Sequence, residues 1–428
     1  MKIITLLFGL LFSLNLLAQQ DSYYDSNHIR YDNYVYSNRY KSVELYKTGD
    51  HFTVPIIELN SKNTITLSFD DMEAQSETYY YTFILCNADW TPADLLPMEY
   101  IDGMTEDYFN SNSVSFNTTT QYTHYSTIIP SENIKITKAG NYILEVYHEG
   151  EADQPIITRR MYVVENRVGV VTQYFIAKAP QYSETMQEMY VRINLQSYSM
   201  PNVYQNFTLV VQQNGRQDNR IVRHQPQILT NEYMYFNLNN DILFDGGNEF
   251  RMVDIRSLNT PSSRVRNINF NSGVYHVNLL TDRSRAHNSY LRYHDLDGNF
   301  AIIDWDNPVM SQHVESDYAL VNFSLKLDSV CANGGVYVMG AFTDWQFDGR
   351  SRMVYDKLTQ TYTKTMMLKQ GVYNYQYIYL PNTATEGNVA AFEGNHSATE
   401  NTYTVFVYYR DQGDNWDKLL GYQTFQLN

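Results

Sequence analysis

Short runs of β-branched and aromatic residues, each fenced by Gly, Asn, Asp or Pro, recur along this chain. Examples are "TITLSF" (Thr64–Phe69), "YYYTFIL" (Tyr79–Leu85), "YILEVY" (Tyr142–Tyr147), "RMYVVE" (Arg160–Glu165), "FTLVVQQ" (Phe207–Gln213), "GVYVMG" (Gly335–Gly340) and "YTVFVYY" (Tyr403–Tyr409). Such residues suit a pleated, half-buried surface, and the punctuation between them is turn chemistry. Apolar residues at i, i+3, i+4, i+7 are hard to find, so long amphipathic helices are not expected. Tyrosine is abundant, 39 of 428 residues, and suits strands for the same reason. The fold class expected is all-β: tandem immunoglobulin-like β-sandwich domains.

Two turns add detail. "QQNGRQ" sets Asn214-Gly215 between strand-like runs, a hairpin signal because both residues tolerate positive φ. "HDLDGNF" (His294–Phe300) offers Asp297-Gly298 in the same role. Its reading as a calcium loop fails, since the remaining carboxylates and closing glutamate are out of register. An outer-membrane barrel is also all-β, but its strands alternate apolar and polar residues over about ten positions. Several strands here are apolar on both faces, as in the centre of a sandwich.

The first residues, "MKIITLLFGLLFSLNLLAQQDS", place Lys2 before an apolar run that ends at Ala18. That pattern reads as a cleaved secretory signal, residues 1–18, with the mature chain beginning near Gln19. No cysteine follows the cleavage point, so no lipid anchor is expected. No later stretch reaches the roughly 20 apolar residues of a spanning helix, so no direct membrane insertion is expected either. The net charge of −16 should repel nucleic acid and anionic lipid. Length and composition divide the mature chain into three sandwiches, 19–165, 166–312 and 313–428, the last following the polar stretch "DNPVMSQHVESD".

Candidate chemistry is sparse. Cys86 and Cys331 are the only cysteines. A disulfide between them is open in an oxidising compartment, but the favoured reading is two small apolar side chains in different domains. No zinc spacing occurs, and no metal or cofactor is expected. "LCNADWTPADLLPMEYIDG" (Leu85–Gly103) gathers Asp89, Asp94, Glu99 and Asp102 around Trp90. Paired carboxylates could act as acid and base, but Asn87, Asp89 and Pro92 are turn residues, and the decorated end of a strand is the expectation. His124, between Tyr122 and Tyr125, has no nucleophile-elbow motif to serve, and a hydrogen-bonded structural role is expected. His313, Glu315 and Asp317 alternate as metal ligands on a strand would, yet a solvated linker is the favoured reading.

One resemblance spans nearly the whole mature chain. The ordered series "SVELYKTG", "VPIIELN", "LSFDD", "YYYTFILCNADW", "EYIDG", "SFNTTTQYTHY", "AGNYILEVY" and "TRRMYVVE" resembles the N-terminal domain of the plug proteins of the Bacteroidetes type IX secretion system. "AHNSYLRYHDLDGNFAI", "VESDYALVNFSL", "GGVYVMGAFTDWQ" and "LKQGVYNYQY" then resemble the rest of that family in the same order. Leu85 departs from the histidine expected before the cysteine. The resemblance implies a non-enzymatic periplasmic protein. It would bind the periplasmic mouth of a giant outer-membrane β-barrel translocon and close the pore when no cargo crosses. No catalytic residue carries over. The lack of an obvious C-terminal sorting domain fits retention in the periplasm. Candidate contact residues are Trp90, Tyr100, Tyr108 and Tyr125, because tyrosine and tryptophan suit a separable interface. "GAFTDW" and "LKQGVYNYQY" are also similar to glycogen-binding β-sandwich modules, where Trp345 would stack on a sugar. A periplasmic or surface glycan-binding protein is therefore the rival expectation.

Overall fold

The structure, a computed structural model, describes residues 28–236, 241–307 and 312–427. The expected signal peptide lies outside them. Strands dominate the regular structure of the described chain and form three two-layered sandwiches.

In the first sandwich one sheet runs in the order Tyr34–Val35, Ile157–Val164, Gly140–His148, Tyr79–Cys86, Glu106–Tyr108, with Ile56–Glu58 added in parallel to Ile157–Val164. The facing sheet runs Tyr40–Lys47, Ile65–Asp71, Thr123–Ile129, Ser111–Val114. Period-2 patterning sets the core between them. Tyr79, Tyr81, Phe83 and Leu85 point inward from one strand and meet Ile65, Leu67 and Phe69 from the other sheet. Aromatic edges join them, as in the perpendicular Phe69–Tyr79 pair with ring centres 5.1 Å apart.

The second sandwich is discontinuous in sequence. Its first sheet is Gly169–Ile176, Met186–Asn194, Tyr233–Phe236, Ile228–Leu229, with Leu243–Asp245 on the second of these. Its other sheet pairs Phe207–Gln213 with Thr402–Tyr409, which in turn pairs with the last strand, Lys418–Gln426. The core confirms the union, since Met189, Val191 and Leu209 pack with Val405, Val407 and Leu420. The third sandwich is thus inserted into the second. One of its sheets is built on the long strand Gly371–Pro381, flanked by Arg251–Asp254, Phe300–Ile302 and Gly334–Met339. The other runs Val265–Asn271, Val274–Leu279, Tyr318–Lys326, Thr361–Lys369, Val354–Asp356.

This topology corrects the expected division at 312/313. Val274–Leu279 and Tyr318–Lys326 lie on opposite sides of that line yet pair in parallel within one sheet. The final hairpin belongs with the second sandwich instead of the third. Local pattern identifies a strand but carries no record of its partner, so an insertion is invisible to it.

The turns divide. Phe207–Gln213 and Ile221–Arg223 pair antiparallel across a connection that starts at Asn214 (φ 51°) and Gly215 (φ 71°), as expected. Asp297 (φ 49°) and Gly298 (φ 84°) do form a turn, but the hairpin expected there is absent. The chain before them is not a strand, and Phe300–Ile302 pairs only with Gly371–Pro381. Asp297 instead bonds across modules, accepting from Thr402 Oγ1 at 2.5 Å and Gln426 Nε2 at 2.9 Å. Glycine is required at 298, because a Cβ there would sit 2.7 Å from the Trp345 ring.

Candidate functional site: module junctions and an exposed edge

The stretch around Trp90 closes the first junction. The chain turns at Asn87–Trp90, with Trp90 N–H donating to Asn87 O at 2.9 Å, and leaves Trp90 at a φ of 73°. Asp89 accepts from Thr91 N (2.9 Å) and Thr91 Oγ1 (2.6 Å). Burial alone would raise its carboxyl, but those hydrogen bonds bring it below the usual range. Asp94, Glu99 and Asp102 are exposed and do not converge on it. Among the described residues no group of three or more His, Cys, Asp or Glu side chains could hold a metal ion. The decorated strand end is therefore a docking corner between the first and second sandwiches. Ala88 N–H donates to Asp417 (3.0 Å) and Arg410 donates to Asn87 Oδ1 (2.9 Å).

Around that corner lies an apolar seam. Ile143, Tyr162 and Val164 from the first sandwich meet Val210, Phe406 and Tyr408 from the second, with the Tyr162 and Phe406 rings stacked at 4.5 Å. The seam explains strands that are apolar on both faces: one face fills a sandwich and the other fills the junction. Cys86 is buried in the seam as a free thiol, and Cys331 is half-buried and free in the third sandwich.

The junction of the first and third sandwiches is polar. Asp70 projects from the outer face of Ile65–Asp71 and is fully buried. One of its oxygens meets His124 Nδ1 at 2.6 Å, and the other accepts from Tyr318 (2.6 Å) and from Lys369 Nζ (2.5 Å). Lys369, itself buried, also donates to the His313 carbonyl (2.6 Å) and lies 4.1 Å from the Tyr122 ring centre. Burial would raise the Asp70 carboxyl, but the Lys369 charge and the His124 bond hold it below the ordinary range. His313 stacks on His124 with ring centres 4.9 Å apart, and burial followed by the His124 and Lys369 charges pushes its imidazole down to about 4. His124 thus has the structural role expected of it.

His313, Glu315 and Asp317 depart from the solvated linker expected. Gln312–Glu315 forms one helical turn, and Glu315 and Asp317 are buried. Asp317 fastens the junction, accepting from Thr119 N (2.7 Å), Thr119 Oγ1 (2.6 Å) and Thr120 N (3.1 Å). Local sequence could not reveal this, because the partners come from a loop some 200 positions away.

Of the contact residues expected from sequence, Trp90, Tyr100 and Tyr125 are interior. Trp90 packs edge-on to Tyr162 at 5.4 Å with the Arg160 guanidinium 4.3 Å from its ring centre. Tyr100 bonds to Phe83 O, and Tyr125 stacks on Phe69 at 5.3 Å. Rings so enclosed cannot meet a partner. Residue type suggested them, and type alone does not distinguish an exposed edge from a junction. Tyr108 alone is exposed, at 51%. It shares one surface connection with Leu96 (63%), Met98 (77%) and Met104 (60%). The signal missed is charge: no lysine or arginine occurs between Lys62 and Lys135, so the charged residues within this stretch are all carboxylates, although Lys135 pairs across from Asp102. Trp345 is half-buried against the Gly298 turn and Phe250, at 6.0 Å between rings.

Fold and site together define an all-β protein of three interlocked sandwiches with only short helical turns among the described residues. Residues 40–165 match the family model described as type 9 secretion system plug protein 1st domain. A crystal structure of a hypothetical protein from Parabacteroides merdae is similar over 94% of this chain and 100% of that one, with 31% identity and a TM-score of 0.90. No curated protein matches. The chain belongs to the type 9 secretion system plug family, a family of secretion components and not of enzymes.

Proposed function

We propose that this protein is a non-enzymatic periplasmic plug that binds the periplasmic mouth of the outer-membrane β-barrel translocon of type IX secretion and seals it when cargo is absent. The observation that carries the reading is the match of the first sandwich, residues 40–165, to the plug family. Physical features support it. A body that blocks a pore for folded proteins must be wide and must hold its shape. Here three sandwiches are joined by one apolar and one hydrogen-bonded junction. It must also come off, which suits a contact edge of modest apolar area with a charged rim, such as Leu96–Tyr108.

The test is affinity capture of a tagged copy from native outer membranes. A very large β-barrel protein should co-purify, and Met98→Asp with Met104→Asp should reduce its yield at least tenfold. Capture without any such barrel would overturn the proposal. Deletion of the protein should also make the outer membrane leak small solutes.

A further inference from the structure

The third sandwich ends on a bare strand. One of its sheets runs Val265–Asn271, Val274–Leu279, Tyr318–Lys326, Thr361–Lys369, Val354–Asp356, so Val265–Asn271 is an edge. It forms a hairpin with the next strand through Ser272 (φ 52°) and Gly273 (φ 83°), a two-residue turn that sets Asn271 opposite Val274. Among the described residues no strand and no backbone hydrogen bond covers the outer side of Asn267–Asn271. Natural edges are blunted by a charge, a proline or a bulge. The bulge here falls at Arg266, before the regular stretch. From Asn267 to Asn271 the chain reads Asn-Ile-Asn-Phe-Asn, with no charge and no proline.

Period 2 gives this stretch two unlike faces. Ile268 packs against the core of the third sandwich, and Phe270 on the same face leans on Tyr275, with ring centres 4.9 Å apart, yet stays 57% exposed. Asn267, Asn269 and Asn271 share the opposite face and are exposed. A ladder of side-chain hydrogen bonds arrives at that face from three strands away. Thr365 Oγ1 donates to Asn322 Oδ1 (2.5 Å), Asn322 Nδ2 to Asn278 Oδ1 (2.9 Å), and Asn278 Nδ2 to Asn267 Oδ1 (2.9 Å). These four residues stand directly opposite one another in register. Every bond runs toward the edge, and among the described residues the Asn267 amide nitrogen has no acceptor. The ladder ends on a donor, at the side where a further strand would lie.

The pattern narrows what that strand can be. It must present amides or hydroxyls on one face and apolar side chains on the other, without charge. Asn267–Asn271 meets that description itself. Turned antiparallel about a two-fold axis at Asn269, it sets Asn267 opposite the partner's Asn271, Asn269 opposite the partner's Asn269, and Ile268 opposite the partner's Phe270. Each outer pair is then amide on amide, which continues the ladder, and each inner pair is β-branched on aromatic, a favourable cross-strand combination. A closed two-fold dimer needs a patch that is its own complement.

We propose that this protein forms a two-fold dimer through Val265–Asn271, the two edge strands pairing antiparallel about Asn269 into one continuous sheet. Such a dimer neither needs nor excludes the plug reading.

The test is sedimentation velocity of the purified full chain. Mass should rise from one copy toward two with a dissociation constant of roughly 10–100 μM, because a single strand pair falls well short of a standard interface of about 1,600 Å². Added salt should strengthen association, since the chain carries a net charge of −16 while the paired stretch carries none. Phe270→Lys should weaken it at least tenfold; the ring is exposed, so the melting curve of the dilute protein should not move. Register is read by cysteine trapping in a Cys331→Ser background. Asn269→Cys should give a disulfide-linked dimer on mild oxidation, because directly opposed residues of an antiparallel pair lie about 4.5–5.5 Å apart. Thr365→Cys, exposed on the same face, should not. A chain that stays monomeric at hundreds of micromolar, equal trapping at the two positions, or association indifferent to Phe270→Lys would overturn the proposal. So would a monomer that takes a foreign extended peptide at this edge in place of its own copy. None of these outcomes depends on capture of a barrel, so failure here leaves the plug proposal to its own test.

Discussion

The most informative perturbation is Lys369→Met. In the native chain Lys369 sets its ammonium 2.5 Å from Asp70, and neither side chain reaches water. Methionine keeps much of the volume but leaves Asp70 with His124 and the Tyr318 hydroxyl alone. The carboxylate must then stay buried without its ammonium or take up a proton. Removing one member of a buried pair costs about 3–5 kcal/mol, far more than the pair contributes over an apolar replacement. Asp70→Asn with Lys369→Met removes both charges together and should recover most of that loss, within about 1–2 kcal/mol of the native chain. Asp70→Asn alone, which leaves Lys369 buried and unpaired, should cost a similar amount, so the coupling should favour the double variant by at least about 4 kcal/mol. The assay is urea unfolding followed by circular dichroism, with hydrogen exchange on Ile65–Asp71 and Thr361–Lys369 to place the loss at the junction. A Lys369→Met variant within about 1 kcal/mol of the native chain, or strict additivity in the cycle, would refute the reasoning.

Four further outcomes are expected. His313 has its imidazole pushed down to about 4, below its unfolded value near 6.5, so its neutral form is favoured on folding. Stability from that difference is complete above about pH 6.5 and is lost as pH falls toward 4, about 1–2 kcal/mol after allowing for solvent screening. His313→Phe, which keeps the stack on His124, should flatten urea midpoints measured between pH 7.5 and 4.5. Glu145 is buried with one oxygen lacking a hydrogen bond, and burial pushes its carboxyl up to about 7. Its contribution is complete below pH 4.5 and is lost as pH rises through 7, so Glu145→Gln should gain about 2 kcal/mol at pH 8.5 and little at pH 4.5, read from thermal melts. Trp90→Ala should cost about 3–5 kcal/mol in urea and speed proteolysis near Glu165, because it empties the seam. Trp345→Ala should leave retention on a polysaccharide column unchanged, whereas loss of retention would revive the glycan reading.

The sandwich class was legible because it depends on period 2 and turn residues, both local. Tyr79–Cys86 shows why: its alternation names Tyr79, Tyr81, Phe83 and Leu85 as one face, and that face is the core. Strand partners were not legible. Nothing in "YTVFVYY" states that Thr402–Tyr409 pairs with Phe207–Gln213 nearly 200 positions earlier. The functional residues failed for a related reason. Trp90 and Tyr125 are of the residue types that suit a contact surface, but exposure is a property of what covers a residue, and the cover comes from another strand or module. Lys369 ends an apolar run and Asp70 ends another, and only the junction gives either a partner.

The two junctions of the first sandwich differ in what they can specify. The apolar seam with the second sandwich gains from area removed from water, which is non-directional and tolerates small slides. The Asp70 junction with the third is directional, because His124, Tyr318 and Lys369 must each reach one carboxylate. A seam alone would hold the sandwiches together without fixing their angle; the buried carboxylate adds the angle. The Asp70 junction also responds to low pH, through His313. Protonation there would loosen the angle and leave the sandwiches attached.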